Sequence, residues 1–507
     1  MRDGLWERLW QCGMRGKMWR MVQRVYQKTV SCVVVEDQKT AWKQSEVGVR
    51  QGCVMSPNLF SMFINGMAEG ERRGKGIRWT SKKLSILLFA DDVVLMAEEE
   101  DMDKMLRVVH EYSRDWRFQF NAQKCKVMAN RKRQGDWLIG GEKVAEVESF
   151  VYLGVEFGKG NRWKEMKKKV LGKIEGRVRK VEMLRATFGL GTREALRVWD
   201  VVGRPMMEYG SEVWATGGWK EGEEAMLRFG KRLIGMRRNT NKEVVQGELG
   251  RMRMKGRWDL ARLRLWKKLV EGVNPLASWV YRQRREEFER QGRKDKRNWC
   301  WYTWQVLREM GKEVDWAVEY VQGGAWIQGV RERIQQREEK EWQTRMGEKP
   351  RLRTYRLVKE KLEHERYLDC TTGAKRRALV ELRSGANDLE IEMGRRRNKE
   401  VKDRVCEECK GGVEDEMHFL LECPAYANTR GSEERSKAPD RAATHMYPKL
   451  SVVFTTHSGG KLTKGGFELL EGSLAGVGWK RADGDDVTKM QRRDGEEVSD
   501  YEPSWSQ

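Results

Sequence analysis

The sequence predicts an α+β protein in which a part with short strands precedes a long helical part. Three observations support this. Short apolar runs bounded by Gly and Pro occupy about the first 160 residues, as expected for strands and hairpins. From there to about residue 398, apolar residues recur at helical spacing among many charges. A compact cluster of Cys and His then falls within residues 399–430, which indicates a small metal-stabilised module.

Composition limits the classes of function. The 507 residues include 100 Lys and Arg against 77 Asp and Glu, for a net charge of +23. This excess favours polyanionic partners, because neutralising phosphates releases counterions; the alternative is a merely soluble basic surface. No apolar run approaches the ~20 residues of a membrane helix, so no membrane partner is predicted. The nine cysteines are mostly scattered, which indicates an intracellular, reducing setting rather than a secreted disulfide framework.

The amino-terminal part begins with a predicted helix over residues 5–30, followed by short strands at 31–35 and 41–47. A loop rich in Gly and Pro then covers residues 50–57. At its end Ser56 precedes a proline, so we expect a helix that starts there with Ser56 as its N-cap.

A second group of strands follows. The apolar run at residues 84–97 is interrupted by two adjacent acids, Asp91 and Asp92, which predicts a hairpin with both carboxylates at its turn. Residues 118–128 are predicted to form a strand and residues 137–157 a further hairpin.

Two like charges at the tip of an apolar hairpin repel each other, and a divalent cation offsets that cost. Magnesium prefers carboxylate oxygen together with substrate phosphate. Asp91 and Asp92 therefore fit a metal site for phosphoryl or nucleotidyl transfer. The alternative is an ordinary hairpin turn, since turns use Asp freely.

A long amphipathic helix is predicted over residues 164–184. Its expected buried face consists of Met166, Val170, Ile174, Val178 and Val181. Its basic side chains are Lys164, Lys167, Lys168, Lys169, Lys173, Arg177, Arg179 and Lys180. Any one of these cations is as easily a solvated helix residue as a phosphate contact, but their density favours nucleic acid.

Near the carboxyl end, Cys406, Cys409, His418 and Cys423 have the spacing C-x2-C-x8-H-x4-C. Three thiolates and one imidazole form a closed tetrahedral set for a structural zinc ion. The alternative is four reduced side chains without a ligand.

Several motifs resemble those of a known family. Leu88-Phe89-Ala90-Asp91-Asp92 resembles the palm signature of reverse transcriptases, and residues 48–57 (GVRQGCVMSP) resemble an upstream palm motif. Residues 120–128 and Tyr152-Leu153-Gly154 are similar to the fourth palm motif and the primer-grip region. Residues 203–214 resemble the thumb of non-LTR (LINE-type) retrotransposon polymerases. Cys406 to Cys423 is similar to the carboxy-terminal zinc segment of those enzymes.

The resemblance implies a right-hand polymerase that copies an RNA template onto a DNA primer from deoxynucleoside triphosphates. Asp91 would bind both magnesium ions with Asp92 close by, and Gln51 and Gly52 would contact the nucleotide and template. Arg50 would either meet a phosphate or brace the loop. Lys124 would compensate charge on pyrophosphate, or be a solvated lysine. The family also implies a nuclear site of action.

The implied domains are a partial palm at residues 1–160, a helical thumb at 161–275, a helical connector at 276–398 and a CCHC zinc module at 399–430. A disordered tail at 431–507 completes the division, because its composition is polar and rich in Gly.

The family's first palm motif, with another metal-binding aspartate, precedes the helix that opens this sequence. Asp3 leads directly into that helix and is in the wrong register to replace it. We therefore expect an incomplete two-metal site and no polymerase activity of this chain alone, either as a fragment of a longer enzyme or as a truncated product. The alternative function is a non-catalytic RNA/DNA-binding remnant stabilised by zinc. An unrelated helical scaffold would leave the ordered palm motifs unexplained.

Overall fold

The computed structural model describes residues 2–69, 76–79, 82–131, 133–160, 163–296, 298–318, 323–371 and 373–427. The predicted tail at 431–507 lies outside these ranges. Within them the chain forms two compact units. The first unit comprises Met1–Phe229 and Met252–Glu338, and the second comprises Gly230–Arg251 and Glu339–Gln507.

The strands are short and form hairpins and one three-stranded sheet. They are β1 (Val30–Ser31), β2 (Val34–Val35), β3 (Gln38–Lys39), β4 (Lys43–Gln44), β5 (Ile77–Trp79), β6 (Lys82–Leu84), β7 (Ile86–Phe89), β8 (Asp92–Leu95), β9 (Lys126–Val127), β10 (Trp137–Ile139), β11 (Glu142–Glu146), β12 (Ser149–Tyr152) and β13 (Val155–Gly158). Antiparallel pairs are β1–β4, β2–β3, β5–β6, β7–β8, β10–β11 and β12–β13, while β9 runs parallel to β11.

Helices dominate the rest of the described residues. Those in the first 200 or so residues are α1 (Asp3–Gln11), α2 (Gly16–Gln27), α3 (Ser56–Asn65), α4 (Glu99–Asp115), α5 (Lys164–Phe188), α6 (Thr192–Val202), α7 (Arg204–Glu208) and α8 (Ser211–Trp214). The later ones are α9 (Lys220–Ile234), α10 (Lys242–Leu249), α11 (Met254–Val270), α12 (Pro275–Arg290), α13 (Trp299–Glu309), α14 (Gly323–Gly347), α15 (Arg353–Val358), α16 (Tyr367–Cys370), α17 (Gly373–Arg383) and α18 (Glu390–Arg396). Short strand pairs alongside many helices agree with the predicted α+β class.

The first unit holds the strands in place with apolar side chains from helices. Ile64 on α3 and Val109 on α4 are buried against Leu88 and Val93 of the β7–β8 hairpin. This packing holds the last turn of α3 and the β7–β8 hairpin in one core.

Helix α5 follows its predicted pattern closely. Met166, Val170, Ile174, Val178 and Val181 are all buried, as the spacing of apolar residues indicated. The helix extends to Phe188 and ends at a left-handed Gly189.

The single helix predicted over residues 5–30 is wrong, because two helices occupy this stretch. Gly13, between the two helices, has a φ angle of +90°, and Gly16, the first residue of α2, has +62°; a right-handed helix cannot continue through such angles. Helix α1 therefore ends at Gln11 and α2 starts at Gly16.

The predicted strand over residues 118–128 is also wrong for most of its length. The backbone N–H of Lys124 donates to both the carbonyl and the Oδ1 of Asn121, at 3.0 and 3.2 Å. This turn, built by the Asn side chain, leaves a strand only at Lys126–Val127.

Two smaller corrections concern the loop region. The strands predicted at 31–35 and 41–47 are four two-residue strands, because Glu36 and Asp37 form a left-handed turn. Ser56 is not an N-cap: its hydroxyl donates to the carbonyl of Arg50 at 2.6 Å, inside the loop.

Among the described residues, no helix combines the length and apolar character needed to cross a membrane.

Candidate active site and candidate metal centre

The paired acids lie at the tip of the β7–β8 hairpin. Phe89 pairs with Asp92, so Ala90 and Asp91 form the two-residue turn. Ala90 has a φ angle of +49°, as such tight hairpin turns require. Asp91 and Asp92 are both exposed to solvent. The prediction of a hairpin is confirmed, with Asp91 in the turn and Asp92 at the start of β8.

The loop at residues 50–57 is held by hydrogen bonds. Ser56 bonds to the Arg50 carbonyl and, at 3.0 Å, to the Tyr26 hydroxyl. The Arg50 guanidinium donates to the carbonyl of Val25 at 2.7 Å and lies 5.7 Å from the centre of the Tyr26 ring. Of the two alternatives left by the sequence, these contacts favour Arg50 as a brace. They hold the loop against α2.

The other residues predicted to contact the nucleotide, Gln51, Gly52 and Lys124, are exposed to solvent. Gln51 and Gly52 are exposed, and Gly52 has a φ angle of +79° with no atom within 4 Å of an added Cβ. Their exposure and the lack of a side chain at Gly52 let a ligand approach the backbone closely. Lys124 is exposed in the turn after Asn121. The joint role of Gln51, Gly52 and Lys124 with the paired acids stays a prediction.

A second hairpin tip lies near the acids. Burial raises the pKa of the Tyr152 phenol, and the negative charge of Asp92 raises it further. The next two residues, Leu153 and Gly154, form the β12–β13 turn with φ angles of +46° and +78°. The Tyr209 hydroxyl donates to the carbonyl of Leu153 at 2.8 Å. The resemblance named residues 152–154, but it did not foresee that Tyr209 fastens them.

The basic side chains of α5 divide into two groups. Lys169 forms an ion pair with Glu156 at 2.8 Å, and Lys167 is half-buried and donates to the Gly218 carbonyl at 3.2 Å. Lys164, Lys168, Lys173, Arg177, Arg179 and Lys180 are exposed. Six of the eight predicted cations therefore remain accessible to a polyanion.

The Cys/His cluster lies in the second unit and brings all four predicted ligand atoms together. They lie within 4.8 Å of one another. Sγ of Cys406 and Sγ of Cys423 are 3.9 Å apart, and Sγ of Cys409 lies 3.2 Å from Nε2 of His418. A tetrahedral zinc ion with ~2.3 Å bonds to sulfur and ~2.0 Å bonds to nitrogen separates its ligands by roughly 3.5–3.8 Å. The arrangement fits such an ion.

Local folding explains this convergence. The backbone N–H of Cys406 donates to the Gly412 carbonyl at 2.9 Å, which closes the turn that carries Cys409. His418 begins a short π-helix that ends at Glu422, one residue before Cys423. Nδ1 of His418 lies 3.9 Å from the Glu422 carboxylate, so the ring presents Nε2 to the thiols.

The pKa values of two of the thiols are shifted in opposite directions by their surroundings. Burial raises the pKa of the Cys406 thiol to about 12, whereas the backbone N–H of Gly411 lowers the pKa of the Cys409 thiol. A bound cation favours thiolate in both.

A buried carboxylate two residues before His418 was not predicted. Glu416 is fully buried and accepts hydrogen bonds from Arg353, Thr354 and Asn387 at 2.8 to 2.9 Å. Leu389 and Ile391 pack against Val413 and nearby apolar residues. The cluster is thus embedded in the second unit. Glu416 stands among four acids in ten residues with no periodic pattern, so the sequence offered no signal.

Comparison with known proteins relates the first part of the chain to a family. Residues 2–157 match the family described as reverse transcriptase (RNA-dependent DNA polymerase). The Retrovirus-related Pol polyprotein from type-1 retrotransposable element R2 of Nasonia vitripennis is 26% identical over 155 residues. That match covers 28% of this chain and 15% of the polyprotein, so the chain spans a small part of that relative's length.

Proposed function

Because residues 2–157 form a reverse transcriptase domain of the non-LTR retrotransposon type, we propose that Asp91 and Asp92 serve magnesium-dependent, template-directed nucleotidyl transfer. The substrates are deoxynucleoside triphosphates, and the acceptor is the 3′-hydroxyl of a primer paired with an RNA template. The proposal includes a site of action in the nucleus.

The hairpin tip is the observation that supports it most. Asp91 and Asp92 are exposed side by side at a turn, and no cation among the described residues forms an ion pair with either. Two uncompensated neighbouring carboxylates suit magnesium, which takes oxygen ligands and leaves positions for phosphate. When bound, two such ions supply a polarised 3′-hydroxyl and a stabilised leaving oxygen.

In this proposal the other residues of the site bind or position the substrates. Gln51 and Gly52 offer exposed backbone to the nucleotide, while Arg50 keeps their loop in place through its bond to Val25. Lys124 is an exposed cation for the departing pyrophosphate. Tyr209 steadies the turn beside Asp92 on which the primer end would rest.

Residues 1–507 on their own are proposed to bind a primer–template without extending it. Within the described residues the β7–β8 tip offers two carboxylates, Asp91 and Asp92, and Asp3 lies in helix α1. Two carboxylates hold two divalent ions less well than three, so binding and alignment of the nucleotide fail together.

Primer extension on an RNA template tests the proposed inactivity, and any extension that occurs tests the role of Asp91. The variant is Asp91→Asn, and the matched control is Asp37→Asn, because Asp37 is also an exposed aspartate in a two-residue hairpin turn. We expect primer–template binding without extension by residues 1–507 and by both variants. Extension that is lost with Asp91→Asn but kept with Asp37→Asn would contradict inactivity and support the catalytic role. Extension kept by both would contradict that role.

A second candidate is a non-catalytic RNA- or DNA-binding protein stabilised by zinc. The ligand geometry of Cys406, Cys409, His418 and Cys423 favours it. If nucleic-acid binding survives Asp91→Asn but needs the zinc ligands, this candidate gains over the polymerase.

A further inference from the structure

A cleft in the first unit lies outside the predicted active site. It has a volume of about 1340 Å³, larger than the roughly 300–1,000 Å³ of usual small-molecule sites. Its walls come from the start of α5, the segment through α8 and α9, and helices α11, α12 and α13. Its size fits a stretch of polymer better than a metabolite.

Cations predominate among the charged residues of the cleft. Lys164, Lys168 and Lys296 line it and are exposed, and no acid among the described residues pairs with any of them. Lys167 lies deeper, with Nζ donating to the Gly218 carbonyl, and its charge is opposed by Glu221. This surplus of unpaired ammonium groups suits a phosphate backbone.

Aromatic rings accompany these cations. Trp163 and Tyr302 line the cleft and are each half-buried, so each side chain keeps part of its surface accessible. Buried Trp219 and Tyr281 form its wall. Bases stack on such rings only when they are unpaired, because a duplex turns its base faces inward. The aromatic lining therefore favours a single strand over a double one.

We propose that this cleft binds single-stranded nucleic acid, with Lys164, Lys168 and Lys296 on its phosphates and Trp163 and Tyr302 stacked on its bases. The site extends beyond the proposed polymerase function. A strand binds here whether or not Asp91 and Asp92 hold metal, so failure of catalysis leaves it intact.

The test compares two triple variants of residues 1–507. The cleft variant is Lys164→Gln/Lys168→Gln/Lys296→Gln. The control is Lys173→Gln/Arg177→Gln/Lys180→Gln, which removes as many exposed cations from α5 outside the cleft. Fluorescence anisotropy with labelled oligo-U and with an RNA–DNA duplex, over a range of salt, measures both affinities.

The cleft variant should bind oligo-U at least about tenfold more weakly at physiological salt, with a log–log salt slope shallower by about 2, since each lost phosphate contact is worth roughly 0.7. Its duplex affinity should change less than its oligo-U affinity, and the control should show the reverse. Trp163→Leu/Tyr302→Leu should weaken oligo-U binding while keeping the slope, because stacking carries no charge.

Two results would overturn the proposal. Equal loss of oligo-U affinity in both triple variants would make it a general effect of basic charge. Displacement of oligo-U by polyglutamate as effectively as by unlabelled oligo-U would show that the cleft takes any polyanion. Matching circular dichroism spectra of the variants exclude unfolding as the cause.

Discussion

At the scale of single residues, the candidate site depends on backbone conformations that few residue types adopt. Ala90 has a left-handed φ angle at the tip of the β7–β8 hairpin, which carries Asp92, and so does Leu153 at the tip of the β12–β13 hairpin, where Gly154 follows at +78°. An added Cβ at Gly154 would lie 3.2 Å from the Tyr209 ring. Glycine here avoids both the strain of a left-handed side chain and crowding of the ring that fastens the turn.

Gly154→Ala should therefore lower the free energy of unfolding by about 1–2 kcal/mol, the cost of a left-handed alanine. The matched control is Gly172→Ala within α5, where no atom lies within 4 Å of the added Cβ. That change should raise it by roughly 0.5–1 kcal/mol through helix propensity. Urea unfolding measures both. Equal effects of the two changes would contradict the account of Gly154.

The sequence predicted residues at the site better than it predicted their contacts. It placed Asp91 and Asp92 at a turn because they interrupt the apolar run at residues 84–97. It took Ser56 for a helix cap because that reading needs only neighbours in sequence, whereas its observed bonds to Arg50 and Tyr26 are tertiary. It could not decide between the two roles of Arg50 for the same reason, because the bond of Arg50 to Val25 is also tertiary.

At the scale of elements, periodicity succeeded where a helix is long. Five apolar residues at helical spacing identified the buried face of α5, because a 3.6-residue repeat over 25 residues has few alternatives. The strands are two to five residues long, too short for a repeat to appear. The side chain of Asn121 and the left-handed glycines at 13 and 16 then decided the chain path.

The buried face of α5 can be tested with adjacent residues. Ile174→Ala should lower the free energy of unfolding by roughly 2–5 kcal/mol, because it leaves a cavity in a packed core. Lys173→Ala, one position away and exposed, should change it by no more than about 0.5 kcal/mol. Comparable losses for both in urea unfolding would contradict the assigned face.

The Cys/His cluster predicts metal-dependent stability of the second unit. One zinc ion per chain should bind, and a chelator or Cys406→Ser should remove it together with a large part of that unit's stability, since such ions contribute on the order of 10 kcal/mol. Cys370→Ser is the control, because Cys370 is an exposed free thiol. Metal analysis and calorimetry measure both effects. A metal-free wild type with unchanged melting would contradict zinc binding.

At the scale of the whole molecule, the sequence predicted the effect of net charge but not the boundaries of the two units. The net charge of +23 predicted a polyanionic partner, and exposed cations on α5 and in the cleft provide surfaces for one. The division into two units joins distant parts of the chain, such as Gly230–Arg251 with the residues after Glu338. A linear reading of composition could not reveal that exchange, because it depends on which helices pack together.

Affinity for a primer–template should fall steeply with salt. If Lys173, Arg177, Arg179 and Lys180 each neutralise one phosphate, affinity should drop about a hundredfold between 50 and 200 mM salt. Filter binding or anisotropy measures the slope. Binding that stays flat over this range would contradict phosphate contacts by α5.

The most direct measurement of the central claim is the affinity of residues 1–507 for Mn²⁺, as a paramagnetic substitute for magnesium, in the presence of primer–template. Asp91→Asn should weaken Mn²⁺ binding at least about tenfold, since even outer-shell partners change metal affinity by 10- to 100-fold. Asp37→Asn, at its exposed hairpin turn, should leave it unchanged. Equal Mn²⁺ affinity in the wild type and both variants would show that the β7–β8 tip does not hold the metal.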